Sequence, residues 1–174
     1  MNQSSVMKIL NSTLEDIDAI FLIYDQATVF QREHTSRTWL GFDRGMVERE
    51  INEGKQWKLE VDGEIACVFV TGFTDPHIWK EKDADPAVYL HRIATNPQFR
   101  GSGFVKTIVE WTKKFAAGYG KKFIRMDTGS GNEKLNNYYI SCGFNYLGVT
   151  GIDPEADLPL HYKMGDYSLF EMPL

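Results

Sequence analysis

The chain predicts an α/β or α+β layer fold on three observations. Runs of strand character alternate with amphipathic helical periods, an Asp-Gly turn joins two of those runs, and the composition is that of a folded globular domain. The 174 residues are 43% hydrophobic, 13% aromatic and 25% charged, with 15 Gly and 6 Pro. A chain of this length buries roughly 70% of its unfolded surface, enough for a core without disulfides or metal. No internal repeat, low-complexity tract or Ser/Gly linker divides it, so residues 1–174 are expected to fold as a single domain.

Met7 to Leu10 predict a short first strand. Ser12 with Glu15 forms a capping-box pattern opening a helix whose apolar stripe is Leu14, Ile17, Ile20, Phe21 and Tyr24. From Gln26 to Gly45 the pattern breaks. Phe30, His34, Trp39 and Phe42 mix there with Arg32, Glu33, Arg37 and Asp43, as in an irregular or short-helical covering segment of the kind that carries specificity. A second helix from about Arg44 to Asn52 stops near Gly54. Trp57 to Val61 and Glu64 to Thr71 are strands, joined by Asp62-Gly63, the strongest short hairpin signal. Val88 to Thr95 is a further strand, closed by Asn96-Pro97. From Gly101 to Gly118, Phe104, Val105, Ile108, Val109, Thr112, Phe115 and Ala116 follow helical spacing, with Lys106, Glu110, Lys113 and Lys114 on the other side. Gly120 ends that helix. Phe123 to Asp127 is a strand, Asn132 to Ser141 a helix and Phe144 to Val149 a strand; Leu160 to Met164 and Tyr167 to Met172 supply the last strand or strands.

Charge and hydropathy exclude several partners. Lys and Arg number 19 against 24 Asp and Glu, a net −5, and no stretch is basic enough to track a phosphate backbone, so nucleic acid is not expected. No apolar run approaches the roughly 20 residues of a membrane span, and Met1-Asn2-Gln3-Ser4-Ser5 lacks a basic segment followed by an apolar one. A soluble, cytoplasmic protein without a membrane partner is the expectation. Cys67 lies in an apolar run and Cys142 near a helix end; neither belongs to a CxxC pair, and both fit buried thiols better than redox or metal groups.

The sharpest local feature is Asn96-Pro97-Gln98-Phe99-Arg100-Gly101-Ser102-Gly103-Phe104-Val105, set between a strand and an amphipathic helix. A turn there exposes helix N-terminal amides and the positive end of the helix dipole, and glycines let the backbone approach phosphate oxygens. Arg100 adds a positive charge at the same end. The natural guest carries a diphosphate. The same glycines would equally serve a tight strand-to-helix connection that binds nothing. No Gly-Lys-Ser/Thr follows, and G-x-G-x-x-G is absent, so neither a Walker loop nor a dinucleotide fingerprint is present.

The next helix completes the pattern with Asn132-Glu133-Lys134-Leu135-Asn136-Asn137-Tyr138-Tyr139-Ile140-Ser141-Cys142-Gly143-Phe144. Together with the glycine turn it resembles the GNAT superfamily of N-acetyltransferases, over about Val88 to Val149, with the hairpin and first helix also in family order. The resemblance implies a mixed, mainly antiparallel central sheet of about six to seven strands flanked by about four helices. It also implies acetyl-CoA as cosubstrate and transfer of its acetyl group to a primary amine of a small molecule or protein. A catalytically inactive CoA-binding module, acting as sensor or partner subunit, is the alternative. Registering the family's Q/R-x-x-G-x-G/A pattern on Arg100 and Gly103 leaves Val105 at the last small position, where it crowds the pyrophosphate. Registering it on Gln98, Gly101 and Gly103 satisfies the formula but sits less well behind Pro97. The first register is preferred.

By that resemblance the backbone of Ile93, Ala94 and Thr95 pairs with the pantetheine arm. Arg100, Gly101, Ser102, Gly103, Phe104, Val105 and Lys106 hold the pyrophosphate, and Asn132 orients the arm or its adenylate-proximal part, although an Asn there is also a good N-cap. Tyr139 lies at the position of the family's tyrosine acid, which on helix geometry alone would be a packed aromatic. Asp127, ending its strand, and His91, on the cofactor-side strand with Tyr89 on the same face, are the candidate bases. A strand-end Asp is commonly a turn hydrogen-bonder and a strand His an interior group, and ordered water could replace either. His34, His77 and His161 have no partner at ligand spacing, so no metal is expected. The segment around Phe30, His34, Trp39 and Asp43, with Asp153 to His161, would wall the acceptor pocket, though these aromatics fit core packing better than a cation cage. Homodimers are common in proteins of this resemblance, and the sequence itself holds no patch that demonstrates one.

Overall fold

The structure, a computed structural model, describes residues 4–174. The N-terminal leader expectation falls partly on residues 1–3, which lie outside the described residues, as does the side chain of His161. Seven strands take the order β1-β2-β3-β4-β5-β7-β6. They are β1 (Met7–Asn11), β2 (Gln56–Val61), β3 (Glu64–Gly72), β4 (Ala87–Thr95), β5 (Phe123–Gly129), β6 (Asn145–Thr150) and β7 (Tyr167–Pro173). The β4–β5 pair is parallel, while β1–β2, β2–β3, β5–β7 and β6–β7 are antiparallel, the mixed and mainly antiparallel sheet that the family resemblance implied. The chain divides into two compact units that share β4: one holds the chain up to Thr71 together with Arg92–Phe104, the other Gly72–His91 with Val105–Leu174.

In the first unit, β1 pairs with β2 from Met7↔Val61 to Asn11↔Trp57. Asp62 (φ 51°) and Gly63 (φ 85°) both take positive φ, the twist-matched two-residue turn the Asp-Gly dipeptide predicts. Two helices bring Ile17, Ile20, Ile23, Tyr24, Val47 and Ile51 into one buried cluster with Val68 and Ala94: α1 (Ile17–His34) and α2 (Arg44–Asn52). The cap forms one residue later than expected: Thr13 and Asp16 make the reciprocal capping box, over a 3-10 turn at Leu14–Asp16, and Ser12 is buried instead. Likewise the irregular segment is shorter than expected. The helix runs on to His34 because Phe30 and His34, one turn apart, stack at 4.0 Å between centroids, a local aromatic pair with no core stripe to betray it. Trp39 and Phe42 pack on Tyr24 at 5.9 and 5.0 Å, and Asp43 caps α2 by accepting from the Met46 amide at 2.8 Å. Phe30, His34, Trp39 and Asp43, the four residues expected to mark the pocket wall, therefore all have structural work.

In the second unit, β5 pairs with β7 along its whole length, from Phe123↔Pro173 to Gly129↔Tyr167. Two helices follow the expected spacing, α4 (Phe104–Gly118) and α5 (Glu133–Ser141). The connection after β3 holds a short α3 (Pro76–Trp79) and a 3-10 turn at Lys80–Ala84, neither of which the sequence pattern announced. Leu160–Lys163 is a single helical turn, α6, and not a strand: Pro159 has φ −51°, and its carbonyl accepts from the Tyr162 amide at 3.0 Å.

Arg125, fully buried on β5, organises this unit. Its Nε donates to Glu171 Oε2 at 2.8 Å, Nη1 to the Lys82 carbonyl at 2.6 Å and to Tyr89 Oη at 3.1 Å, and Nη2 to Asp85 Oδ2 at 2.6 Å. The guanidinium also lies 4.7 Å from the Trp79 ring centroid and 5.0 Å from that of Phe123. Removing one partner of such a group strands the others. Arg125→Met is expected to lose about 3–5 kcal/mol, roughly 6–20 °C in Tm, in urea and thermal denaturation; unchanged stability would show that the network is dispensable.

Candidate active site

The glycine turn forms as its residues require. Asn96 Oδ1 accepts from the Gln98 amide at 3.1 Å, opening a 3-10 turn at Pro97–Phe99, while its Nδ2 donates to the Ile65 carbonyl at 3.0 Å. Gly101 (φ 85°) and Gly103 (φ 68°) both sit in the left-handed region, and a Cβ added at either would meet no atom within 4 Å. Glycine is therefore demanded by conformation, and the space over the turn is open. Phe104 and Val105 begin α4 with their side chains 6% and 8% exposed, so backbone is what the turn presents. Val105 is itself buried at the start of α4. Ser102 Oγ donates to the Phe99 carbonyl at 2.6 Å. Arg100 and Lys106 are exposed, and the Arg100 guanidinium lies 4.0 Å over the Phe30 ring, in a recess of about 330 Å³ that Asp25 and Glu33 also line.

The strand leading into this turn leaves its parallel neighbour early. The β4–β5 register runs from Ala87↔Phe123 to Leu90↔Met126 and ends, while β4 itself continues to Thr95. Ile93, Ala94 and Thr95 lie past the last pair. Arg92, just before them, has φ 46°, which an L side chain adopts only when held. It is held by an ion pair to Glu50, a hydrogen bond to Tyr24 Oη at 3.3 Å and the Phe42 ring at 5.0 Å.

In the second unit the structure brings His91 and Asp127 together and adds a carboxylate that sequence reasoning missed. His91 Nδ1 is 4.0 Å from Asp127 Oδ1, and His91 Nε2 is 4.0 Å from Asp75 Oδ2. Tyr89 stacks with His91 at 6.4 Å and 13°, as their common face predicts. Asp75 precedes Pro76 at the start of α3, and its amide donates to Asp83 Oδ1 at 2.6 Å. Its only sequence signal was that Asp-Pro helix start. Burial first, then the negative charges of Asp127 and Asp83, push the Asp75 carboxyl from 3.8 up to about 7. The nitrogen and oxygen atoms of Asp75, His91 and Asp127 lie within 4.8 Å of one another, a grouping the absence of histidine pairs in the sequence did not foreshadow. Each residue brings one such atom to the grouping, a geometry open both to proton exchange and to a cation.

Tyr139 sits on α5 with its ring edge-on to Phe170 at 5.2 Å and to Phe144 at 6.5 Å. Asn132 Oδ1 accepts from the Leu135 amide at 3.1 Å, so the capping role is realised by that oxygen. Gly143 (φ 101°) makes the helix-ending turn, where a Cβ would stand 3.1 Å from Met172 Cε. Pro76, His77, Lys80, Asp153, Glu155 and Ala156 line a recess of about 380 Å³, which includes part of the segment expected to wall the acceptor. Cys67 is buried, with its thiol pushed up to about 12 chiefly by that burial, consistent with an inert core thiol.

The Asp75 carboxyl holds its proton more tightly folded than unfolded, so the folded chain binds more protons between about pH 4 and 7 and stability falls as pH rises through that window. Asp75→Asn is therefore expected to be more stable than the parent at pH 8, on the order of 1–4 kcal/mol, with the difference vanishing at pH 4. Thermal denaturation at the two pH values checks this, and a pH-independent difference contradicts it.

A family model described as acetyltransferase (GNAT) family matches residues 17–144. The chain belongs to the acetyltransferase (GNAT) family, a family of acyltransferases whose cosubstrate is acetyl-CoA. It is similar to YesJ of Bacillus subtilis (strain 168), described as an uncharacterized N-acetyltransferase, with 23% identity over 143 residues, 78% of this chain and 79% of that one. Among solved structures, a GNAT-family acetyltransferase from Listeria monocytogenes 4b F2365 superposes with a TM-score of 0.76 at 22% identity, covering 98% of this chain and 100% of that one. The yncA protein of Salmonella typhimurium, solved with its cofactor acetyl-CoA, gives 0.68 at 18% identity over 98% and 95%. These likenesses establish the fold. Among the described residues, no helix is long and apolar enough to cross a membrane.

Proposed function

We propose that the protein transfers the acetyl group of acetyl-CoA directly to a primary amine of a small molecule or protein, as a cytoplasmic enzyme. What carries this is one continuous segment: β4 running beyond its last β5 pair into a turn whose two glycines hold positive φ at the start of α4. Peptide groups of Ile93 to Thr95 suit an added-strand pairing with the amides of the pantetheine arm. The backbone of Gly101 to Val105 suits the pyrophosphate, with Arg100 and Lys106 as exposed positive charges and the Asn132 side chain toward the arm.

An alkylamine with a pKa of about 10.4 is neutral about once in 2,500 molecules at pH 7, a cost of roughly 4.6 kcal/mol. A proton acceptor is therefore useful, and His91 with Asp127 at its Nδ1 is the reading for that role. The leaving thiolate, with a thiol pKa of about 8.5, departs more readily with a proton from Tyr139. The ring contacts to Phe170 and Phe144 hold that phenol in place. Asp153 and Glu155 on the rim of the recess beside Pro76 suit a cationic amine, which a net charge of −5 does not oppose.

Thiol release from acetyl-CoA over a panel of amines tests the reading. Amine-dependent release is expected from the parent, with kcat lowered about 10²-fold or more in Tyr139→Phe and binding of CoA retained. Saturable CoA binding without amine-dependent release in either protein would instead mark a catalytically inactive CoA-binding module. Gly103→Val should weaken CoA binding, read by calorimetry, more than it lowers Tm; an equal loss of both would make the turn purely architectural.

A further inference from the structure

We propose that Asp75 is a positioning residue for His91, holding its Nε2 side and receiving the proton that His91 takes from the acceptor amine, so that the base is a carboxylate–imidazole–carboxylate group. The proposal rests on the acetyl transfer above and deepens it. Asp75 Oδ2 and Asp127 Oδ1 stand at opposite ring nitrogens of His91, each at 4.0 Å, a separation closed by one bridging water or by about 1 Å of side-chain movement.

Nothing in the local architecture calls for a carboxylate at residue 75. Its side chain accepts from the Ile78 amide in the first turn of α3, a contact that asparagine makes as well as aspartate. The carboxyl is mostly buried, 15% exposed, and crowded by the charges of Asp127 and Asp83, an arrangement that lowers stability near neutral pH. Groups of this kind concentrate at functional sites. Its placement is nevertheless tightly built. Its amide donates to Asp83, its carbonyl accepts from the Trp79 amide at 2.9 Å, and the following turn is tied to Arg125 through the Lys82 carbonyl and Asp85. Among the described residues, the titratable and charged groups around the pair include Asp127 from β5, Asp83 from the 3-10 turn, and Tyr89 from β4, which itself contacts Arg125 and Asp83.

The step balances as follows. The amine nitrogen bonds to the acetyl carbonyl carbon and loses its proton to His91 Nδ1, while the Nε2 proton passes to Asp75. The C–S bond then breaks and Tyr139 protonates the sulfur. Asp75 afterwards returns its proton to Nε2 as His91 releases the Nδ1 proton to solvent, which restores the starting imidazole, and Tyr139 regains a proton from solvent.

Isotope-edited NMR of the histidine rings in the full chain, followed from pH 5 to 9, tests the coupling without any substrate. In the parent the His91 signals are expected to report two steps, its own and that of Asp75. Asp75→Asn should lose the second and move the first to lower pH, because an anion that favours imidazolium is gone, and Asp75→Glu should keep both. A curve for Asp75→Asn that superimposes on the parent overturns the proposal. Zinc that shifts the His91 signals in the parent but not in Asp75→Asn, marking a cation site, overturns it too. In turnover with the amine panel, Asp75→Asn should lower kcat at pH 7 about tenfold and move the acid limb of kcat/KM. KM for acetyl-CoA should stay within about twofold, and Asp75→Glu should restore most of the rate. A uniform loss with no movement of the limb contradicts it. If no amine turns over in the parent, it is the acetyl-transfer reading that fails, and the NMR curves still decide for or against the coupling.

Discussion

The parting of β4 from β5 after Leu90↔Met126 is the constraint on which the rest depends. A parallel ladder that stops while one of its strands runs on opens an edge of the kind an extended guest can lengthen as an added strand. The chain prepares that parting at Arg92, whose left-handed backbone is held by Glu50, Tyr24 and Phe42. His91 falls on the first residue past the last pair, and the strand then delivers Ile93 to Thr95 directly into the Gly101–Gly103 turn. For a member of a family whose cosubstrate carries two amides and a pyrophosphate, the order of these parts along one short segment is the economical arrangement.

Buried charge is handled in two opposite ways within the second unit. Arg125 is fully buried and satisfied by Glu171, Asp85, Tyr89 and the Lys82 carbonyl, so its burial serves to fix the connection after β3. Asp75, carried on that same connection, is left next to other carboxylates with its proton affinity raised. A satisfied cation thus holds in place an acid whose charged form is disfavoured. That contrast separates architecture from chemistry better than exposure does, because both groups are largely buried.

Much of the fold was legible where a local rule has a single answer. Asp62-Gly63 reads as a hairpin because both residues must take positive φ, and the stripes of α1 and α4 declare their inward faces at helical spacing. The turn at Gly101 to Gly103 and the Asn132 to Phe144 run were legible as a pair. What stayed hidden depended on contacts distant in sequence or on short-range pairs that mimic disorder. Phe30 and His34 extend α1 through a stack on its partly exposed side, and Leu160–Lys163, with Pro159 before it, reads as a strand until its single hydrogen-bonded turn is seen. Asp75 was invisible as a site residue, since 16 residues separate it from His91 and 52 from Asp127, and only the packing of the connection after β3 brings the three together.

Amide hydrogen exchange across Ile93 to Thr95, with and without saturating CoA, addresses the central claim most directly. Slowed exchange at alternate amides of this stretch on CoA addition, accompanied by slowing at Gly101 to Val105, is the predicted result. Exchange there that is identical in the two states, with CoA demonstrably bound, would contradict it.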